Sequence, residues 1–457
     1  MCKGQLRDAD LPRPGASPND NTMRININMK RAFIIILKII VGLLAILIIA
    51  IGSLFILARC NPELIQKLFE EEPDYISFSA LPNDRDSMKA DFDGIHQIVA
   101  EKYSLYRQKG ISMDSLYKVY SARLRDSVKT CDDYGMMLLE YFADLHCGHA
   151  SAFFRGEHYG GAEPRYIEGR LFLDNPGDYI CKHGFRDKDE IVAINGKAIP
   201  TWMADNIRYH EGSTAAQRAL RTASAALLSY TDTLLNITVV RGSDTISLPL
   251  PLHARGFQNP NICERKILRD SIGYISINSM RNGVIEEFDS LYPSVKDLPY
   301  LIVDIRRNGG GNSLNGEKLC EYLLKQEKTH CLYDKTLKPR ADAYRGKVFL
   351  LIDTRTFSAA ESFAIDLWES GEVTLVGCPT GGDTGNRPEI FQSPSGLSFR
   401  IATREPRLSP GGFPLEGRGV PPHYKVAQTV KDFMAGIDTQ LEFTLSLIQK
   451  GNDQQKP

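Results

Sequence analysis

Two short apolar runs in the C-terminal half of the chain are each followed by a turn and then by a helix-like pattern. The first, residues 301–303, continues through Asp304-Ile305-Arg306 into the glycine loop 308–312. The second, residues 348–352, is followed by Ser358 and a helical pattern that continues to Trp368. Short apolar runs bounded by turn signals and followed by helices predict parallel strands in an α/β layer. Because such sheets bind and react at the carboxyl ends of their strands, we expect the glycine loop and Ser358 to mark a functional edge.

The patterns before this core change twice along the chain. Residues 86–146 have apolar positions at three- and four-residue steps, which predicts a small helical subdomain. Residues 155–255 alternate as strands do, with a predicted hairpin around Asn195-Gly196 and a second one over 234–250. Residues 433–448 predict a closing amphipathic helix.

The longest stretch without a charge is residues 39–58, which is about the length that spans the apolar part of a bilayer. Lys30, Arg31 and Lys38 precede it, whereas Arg59 alone follows directly, so the positive-inside rule predicts a cytoplasmic N-terminus. We therefore expect a single transmembrane helix and an extracytoplasmic domain anchored in the cytoplasmic membrane. A cleaved signal peptide is the alternative, but the apolar run exceeds the usual length and no small-residue cleavage site closes it.

Together these patterns predict an order of parts along the chain. They are a disordered cytoplasmic tail 1–31, a transmembrane helix 32–58, a juxtamembrane and helical subdomain 59–154, a β-module 155–255, an α/β core 256–450 and a tail 451–457.

Composition and charge exclude several classes of function. The 457 residues carry a net charge of −1, so nothing favours a nucleic acid as partner. The nine cysteines include no Cys-x-x-Cys pair, so the sequence predicts neither a zinc site nor a disulfide framework, and we expect no metal and no cofactor.

Ser358 lies where a strand is expected to pass into a helix. At a helix N-terminus the free N–H groups and the dipole stabilise developing negative charge, so the amide of Ala359 is suited to an oxyanion formed when Ser358 attacks a carbonyl. Gly310, in the glycine loop, is the candidate second donor, because a substrate carbonyl can approach a glycine backbone closely. The alternative needs no catalysis, because Ser358-Ala359-Ala360-Glu361 also fits a helix capping box.

Three motifs resemble the tail-specific, or C-terminal-processing, serine protease family in order and spacing. They are residues 300–311 with the glycine loop, Thr356-Phe357-Ser358-Ala359-Ala360-Glu361, and residues 376–382. The resemblance covers roughly the last 190 residues and implies that Ser358 is the nucleophile and that Gly310 helps to form the oxyanion hole. One branch of the family uses a lysine as its base, but that position is Asp383 here, which argues against a Ser-Lys mechanism.

The tricorn-like branch of the same family places a histidine before a small residue, ahead of the nucleophile. In Leu145-His146-Cys147-Gly148-His149-Ala150 the match falls on His149, not on His146. The resemblance implies that His149 is the general base. It also implies that Glu416 orients this base and supports it electrostatically by its negative charge, either directly or through another hydroxyl. The alternative for Glu416 is a surface carboxylate paired with Arg418.

Residues 155–255 resemble a PDZ domain, in which an extended peptide adds to a sheet edge and presents its C-terminus. A purely structural β-module is the alternative, because the loop that binds a terminal carboxylate is not recognisable. The sequence thus predicts a membrane-anchored serine endopeptidase that cleaves envelope or secreted polypeptides through an acyl-enzyme. The competing hypothesis is an inactive family member that binds peptide or lipid at the cell surface.

Overall fold

The computed structural model describes residues 73–155, 158–254, 261–384 and 388–453. The predicted transmembrane segment 32–58 lies outside these ranges. Within them, no helix combines the length and the apolar character that crossing a membrane requires.

Three amphipathic helices follow a single 3₁₀ turn at the start of the described chain. They are α1 (Arg85–Lys102), α2 (Met113–Asp126) and α3 (Cys131–Ala143). Each begins at a side-chain cap, from Asp84, Ser112 and Thr130 respectively, which satisfies a free amide of the first turn. Their apolar faces form one core cluster, as expected from the helical spacing in the sequence. The chain leaves α3 directly into the segment that carries His149.

The next segment forms the β-module and its helices. Its elements are β1 (Ser151–Ala152), β2 (His158–Tyr159), β3 (Arg165–Ile167), β4 (Arg170–Phe172), α4 (Asp178–Lys182), β5 (Glu190–Ile194), β6 (Lys197–Ala198), α5 (Ile199–Asn206), α6 (Ala215–Ser224), β7 (Leu228–Ser229), β8 (Leu234–Arg241), β9 (Asp244–Pro251) and β10 (His253–Ala254). The main sheet has the order β3-β4-β5-β8-β9. Asn195 and Gly196 both have positive φ, as a two-residue hairpin turn between β5 and β6 requires. Strand β6 is short because the chain enters α5 at Ile199-Pro200.

The C-terminal half contains the α/β core. Its elements are β11 (Cys263–Leu268), β12 (Ile272–Ile277), α7 (Val284–Leu291), β13 (Tyr300–Asp304), α8 (Ser313–Leu323), β14 (Lys328–Thr329), β15 (Thr336–Leu337), β16 (Lys347–Ile352), α9 (Ala359–Ser370), β17 (Val373–Gly377), β18 (Pro388–Gln392), β19 (Ser398–Ala402), β20 (Tyr424–Lys425), α10 (Val430–Met434) and α11 (Thr439–Asp453). The sheet order is β11-β12-β13-β16-β17-β20, and all pairs except β11–β12 are parallel. The predicted strands around 301–306 and 348–352 are β13 and β16, which are neighbours.

Both faces of this sheet are covered. In β13, Leu301 and Val303 belong to the cluster that includes side chains of α7, α8 and α9, whereas Ile302 belongs to the cluster formed with α11. This alternation explains why β13 is apolar at consecutive positions. Since β13 and β16 are parallel, the glycine loop after β13 and the turn before α9 leave the sheet at the same edge.

Two connections in the core bear on the sequence predictions. The short strand β1 pairs with β19, with Ser151 opposite Arg400, which ties the segment after His149 to the core. The predicted helix over 433–448 is instead two helices, α10 and α11. The break falls at Gly436, which has a φ of 73° that a continuous right-handed helix does not allow.

Candidate active site

Ser358 occupies the turn between β16 and α9 in a backbone conformation that is rare for a side-chain-bearing residue. Its φ is 56° and its ψ is −122°, a strain that costs on the order of 1–3 kcal/mol. A sharp strand-to-helix turn of this kind exposes a serine hydroxyl at the edge of a sheet. The amide of Glu361 donates to the backbone carbonyl of Ser358 at 2.8 Å, while the Oγ of Ser358 lies 3.0 Å from Nε2 of His149. The hydroxyl is therefore engaged with a base as well as lying at a helix start.

His149 is buried in the segment between α3 and β1. Its Nδ1 lies 2.6 Å from Oδ1 of Asp383, and its ring packs 4.7 Å from the ring of Phe357, measured between centroids. An acidic partner on Nδ1 fixes the proton there and leaves Nε2 free to accept the proton of Ser358. Gly148 permits this approach, because a Cβ at that position would lie 2.9 Å from Oδ2 of Asp383.

Asp383 is a site residue that no sequence motif predicted, since its position stood out only for the absence of a lysine. The structure places its carboxylate next to His149, which in turn contacts Ser358. Burial opposes ionisation of Asp383, but the neighbouring His149 and hydrogen bonds from His149, Glu416 and Ser213 hold its pKa well below the ordinary value. The signal available in the sequence was the acid itself, at the position where the resemblance places the lysine of one branch.

Glu361 connects the nucleophile to the loop that carries Asp383. Its carboxylate accepts hydrogen bonds from the amides of Ser358 at 3.2 Å, Gly382 at 2.7 Å and Asp383 at 2.9 Å, and from the hydroxyl of Thr380 at 2.5 Å. Burial raises the pKa of Glu361 to about 7, although these donors favour its charged form. The residue that looked like half of a capping box therefore holds two catalytic segments together.

Glu416 lies behind Asp383 and is not the hydrogen-bond partner of His149. Its Oε1 is 2.5 Å from Nζ of Lys109 and 2.6 Å from Oγ of Ser213, and the same Oγ is 2.8 Å from Oδ2 of Asp383. The alternative of a surface carboxylate is wrong, because Glu416 is 2% exposed. The structure differs from both predicted routes to the base, because the hydroxyl of Ser213 contacts Asp383 rather than His149, so that a hydroxyl and Asp383 lie between Glu416 and His149.

The amides of the two predicted oxyanion donors, Ala359 and Gly310, differ in their hydrogen bonding. Ala359 is the first residue of α9, so its amide has no acceptor within the helix. Gly310 lies against the nucleophile, since a Cβ on it would be 2.8 Å from the Cβ of Ser358. Its amide, however, donates to Oδ1 of Asn308 at 2.9 Å. A substrate oxyanion would have to replace that contact, so the role of Gly310 stays a prediction.

The β-module also contributes to the site, which the sequence analysis did not anticipate. The segment entering α6 carries Ser213 and Thr214, and the hydroxyl of Thr214 donates to the carbonyl of Gly381 at 3.0 Å. From the same helix, Arg221 donates to the carbonyl of Gly148 at 3.3 Å. Helix α6 and the residues that enter it thus contact both the loop of Asp383 and the segment of His149.

Two buried groups of residues in the described chain have side chains of the types that bind metal ions. One, Cys147 with His149 and Asp383, is the site just described, where both histidine nitrogens already have partners. The other is His330 with Cys331 and Asp366, between α8 and α9. There Nζ of Lys328 lies 2.7 Å from Asp366, and the amide of Leu332 donates to Nδ1 of His330 at 2.9 Å. Lys328 thus gives Asp366 a cationic partner within the protein, and this second group is part of a buried ion-pair network.

Comparisons with known proteins agree with this geometry. Residues 271–426 match the model of peptidase family S41, and residues 166–252 match the N-terminal domain described for Bacteroidetes peptidases of the S41 family. The second match covers most of the β-module, whose interpretation as a PDZ domain stays a prediction.

Individual relatives extend the match beyond the core. The chain is 21% identical over 374 residues to the carboxy-terminal processing protease CtpB of Bacillus subtilis, covering 78% of this chain and 72% of that protein. It is 27% identical over 192 residues to the tricorn protease of Thermoplasma acidophilum, covering 39% of this chain and 17% of that one. The fold is similar to that of mature CPAF complexed with lactacystin, with a TM-score of 0.65 and 14% identity over 82% of this chain and 99% of that one. The chain therefore belongs to peptidase family S41, the tail-specific protease family, and is a serine peptidase.

Proposed function

We propose that this protein is a serine endopeptidase that cleaves polypeptides through an acyl-enzyme formed on Ser358. The observation that carries the proposal is the continuous hydrogen-bonded series from Ser358 to His149 to Asp383, with distances of 3.0 Å and 2.6 Å. A nucleophile, a base and an acid that orients the base are the parts that acyl transfer by serine requires.

Each residue of the series has a defined part in the reaction. His149 accepts the proton of Ser358 through Nε2 as the serine oxygen attacks the peptide carbonyl, and it then donates that proton to the leaving amine. Asp383 keeps the proton of the imidazole on Nδ1 and stabilises the positive charge that forms on the ring. The amide of Ala359, and that of Gly310 once it leaves Asn308, supply the donors for the oxyanion. A water molecule activated by His149 then hydrolyses the acyl-enzyme.

The substrates that we propose are polypeptides, held near their C-termini. The name of the Bacillus relative refers to carboxy-terminal processing, which supports the proposal that substrates are bound near their C-termini. The β-module is the proposed recognition element, with a peptide adding to a sheet edge as in PDZ domains. Its α6 contacts both catalytic segments, so a peptide bound there would be close to the reacting serine.

We also propose that the protein is anchored in the cytoplasmic membrane with its catalytic part outside. The support is the uncharged stretch 39–58 and the excess of basic residues before it. Envelope or secreted polypeptides would then be the substrates within reach.

A fluorophosphonate probe tests the proposed chemistry directly, because it reacts only with an activated serine. Wild-type protein should be labelled on the peptide containing Ser358, as identified by mass spectrometry, and should hydrolyse unfolded polypeptides. Ser358→Ala should lose both signals and keep its fold, since the lost hydroxyl contact stabilises the protein by only about 1 kcal/mol. Ser370→Ala, at the far end of α9, is the matched control. If wild-type protein with native circular dichroism is neither labelled nor active, the peptidase proposal is wrong and a binding role takes its place.

A further inference from the structure

Three oxygen atoms behind the catalytic histidine lie unusually close together. The Oγ of Ser213 is 2.8 Å from Oδ2 of Asp383 and 2.6 Å from Oε1 of Glu416. Both distances are those of O–H···O hydrogen bonds. Asp383 and Glu416 are buried and Ser213 is partly buried, so bulk water does not separate the two carboxyl groups.

The number of hydrogens decides what this arrangement requires. Two hydrogen bonds between three oxygens need two hydrogens, and the hydroxyl of Ser213 supplies one. If both carboxyl groups were ionised, one of the short contacts would bring two lone pairs together with no hydrogen between them. One carboxyl group must therefore carry a proton.

The surroundings assign that proton to Glu416. Asp383 accepts a hydrogen bond from Nδ1 of His149 at 2.6 Å, and the thiol of Cys147 points to Oδ2 of Asp383 at 3.5 Å. Both donors stabilise the charged form of Asp383. Burial, and then the charge of Asp383, raise the pKa of Glu416, while Lys109 opposes that shift.

The other titratable groups near this cluster do not change the assignment. Tyr103 and Cys147 both interact with Glu416 and Asp383, and burial is the main cause that raises the pKa of each, so both are neutral. Nζ of Lys109 lies 2.5 Å from Oε1 of Glu416, and the partly buried Arg400 interacts with Asp383 and favours its ionised form.

We propose that Glu416 is a positioning residue that is protonated in the resting enzyme and shares its proton with Asp383 through the hydroxyl of Ser213. Glu416 donates to Ser213, Ser213 donates to Asp383, and Asp383 accepts from His149. This inference rests on the proposed peptidase function. It differs from the expectation that Glu416 supports the base by its negative charge.

The proposal has a consequence for the pH dependence of the reaction. When Glu416 loses its proton at alkaline pH, Ser213 has one hydrogen for two charged carboxylates, and these repel each other. Asp383 then loses a donor that holds it in line with His149. We expect kcat/KM to fall on the alkaline side as this proton leaves.

Substitutions at Glu416 test whether this residue acts as a neutral hydrogen-bond donor or through a negative charge. In Glu416→Gln the amide can still donate to Ser213, so kcat/KM at neutral pH should stay within about tenfold of wild type, and the alkaline decrease assigned to Glu416 should be absent. In Glu416→Ala and in Ser213→Ala, kcat/KM should fall by roughly ten- to a hundredfold at every pH, because each substitution breaks the hydrogen bonds that run from Glu416 through Ser213 to Asp383. Glu264→Gln, on exposed β11, is the control for loss of one negative charge. If Glu416→Gln loses as much activity as Glu416→Ala, the proposal is wrong.

Infrared spectroscopy tests for the proton on Glu416 without relying on catalytic activity. The wild-type difference spectrum between neutral and alkaline pH should contain the carbonyl stretch of a protonated carboxyl group that Glu416→Gln lacks. Glu361 contributes a band of its own, since burial raises its pKa to about 7, so only the band lost in Glu416→Gln is assigned to Glu416. An unchanged spectrum in folded Glu416→Gln would overturn the proposal. Fluorophosphonate labelling of the same samples reports separately on the peptidase function.

Discussion

At the scale of single residues, the backbone of Ser358 separates two roles that its side chain can play. A serine at a helix start usually caps the helix with its hydroxyl. Here the positive φ turns the serine so that its Oγ reaches His149 at 3.0 Å, while Glu361 accepts from its amide. The hydrogen bond from the Ser358 amide to Glu361 thus helps to offset the cost of the strained conformation. The hydroxyl of Ser358 is not used as a cap and can act as the nucleophile.

The two neighbouring histidines give a test of the base. His149→Ala should lower kcat by several orders of magnitude, because among the described residues His149 is the side chain within hydrogen-bond distance of the Ser358 hydroxyl. His146→Ala should change it far less, since Nδ1 of His146 lies 3.4 Å from Arg218 instead. Steady-state kinetics on both variants decides this. Full activity in His149→Ala together with a loss in His146→Ala would reverse the assignment.

Glu361 gives a prediction about stability and pH. The unfolded residue loses its proton near the ordinary pKa of 4.5, whereas burial raises the folded pKa to about 7. Between these values the folded state binds more protons, so the free energy of unfolding should decrease as pH rises through this window, by roughly 3 kcal/mol. Denaturant unfolding of wild type and Glu361→Gln at several pH values measures it. The variant should lack this slope, and an equal slope in both would contradict the shifted pKa.

At the scale of elements, the residue before α6 connects this helix to the loop of Asp383, which is distant in sequence. The Oγ1 of Thr214 accepts from the amide of Gln217, as a helix cap, and donates to the carbonyl of Gly381 beside Asp383. Since both contacts use one hydroxyl, the start of the helix and the position of the acid loop are linked.

Substitution of Thr214 tests this link. Thr214→Val keeps the shape and removes the hydroxyl, so we expect kcat to fall by about tenfold with a smaller change in KM, since the acid loop loses a contact and the helix a cap. Thr233→Val, at an exposed position of the same module, should have no effect on kcat. Parallel fluorophosphonate labelling rates show whether the loss lies in serine activation. Wild-type kinetics in Thr214→Val would mean that α6 does not hold the loop.

At the scale of the whole molecule, the active site is assembled from three parts of the chain. His149 follows the helical subdomain, Ser213 belongs to the module, and Ser358, Asp383 and Glu416 lie in the core. A loss of packing at any of these boundaries separates groups whose hydrogen bonds depend on each other. Activity is therefore expected to be lost before the core itself unfolds.

The membrane topology is a prediction about the entire protein. Reporters fused after Pro457 test it, because alkaline phosphatase is active only outside the cytoplasm and green fluorescent protein fluoresces well only inside. We expect an active phosphatase fusion and a dark fluorescent fusion, given the basic residues before 39–58. A fusion of each reporter to the first 31 residues alone is the control for cytoplasmic location. The opposite pair of signals at Pro457 would place the peptidase in the cytoplasm.

Local patterns in the sequence were sufficient for several elements. Strands β13 and β16, the helix after Ser358 and the hairpins of the module follow from apolar periodicity and turn residues, which act over a few neighbouring positions. The candidates Ser358 and His149 came from motifs, and the structure brings them to 3.0 Å. The single closing helix was wrong, because Gly436 interrupts it.

Only the tertiary structure decided which acid faces the base. Asp383 and Glu416 are both carboxylates after the nucleophile, and nothing in their local sequence states which one lies 2.6 Å from His149 and which lies one hydroxyl further away. The answer depends on Glu361, which fixes the loop of Asp383, and on Ser213, which arrives from another part of the chain. Periodicity and motifs report on neighbours in sequence, whereas the order of these hydrogen bonds is set by contacts between residues up to 234 positions apart.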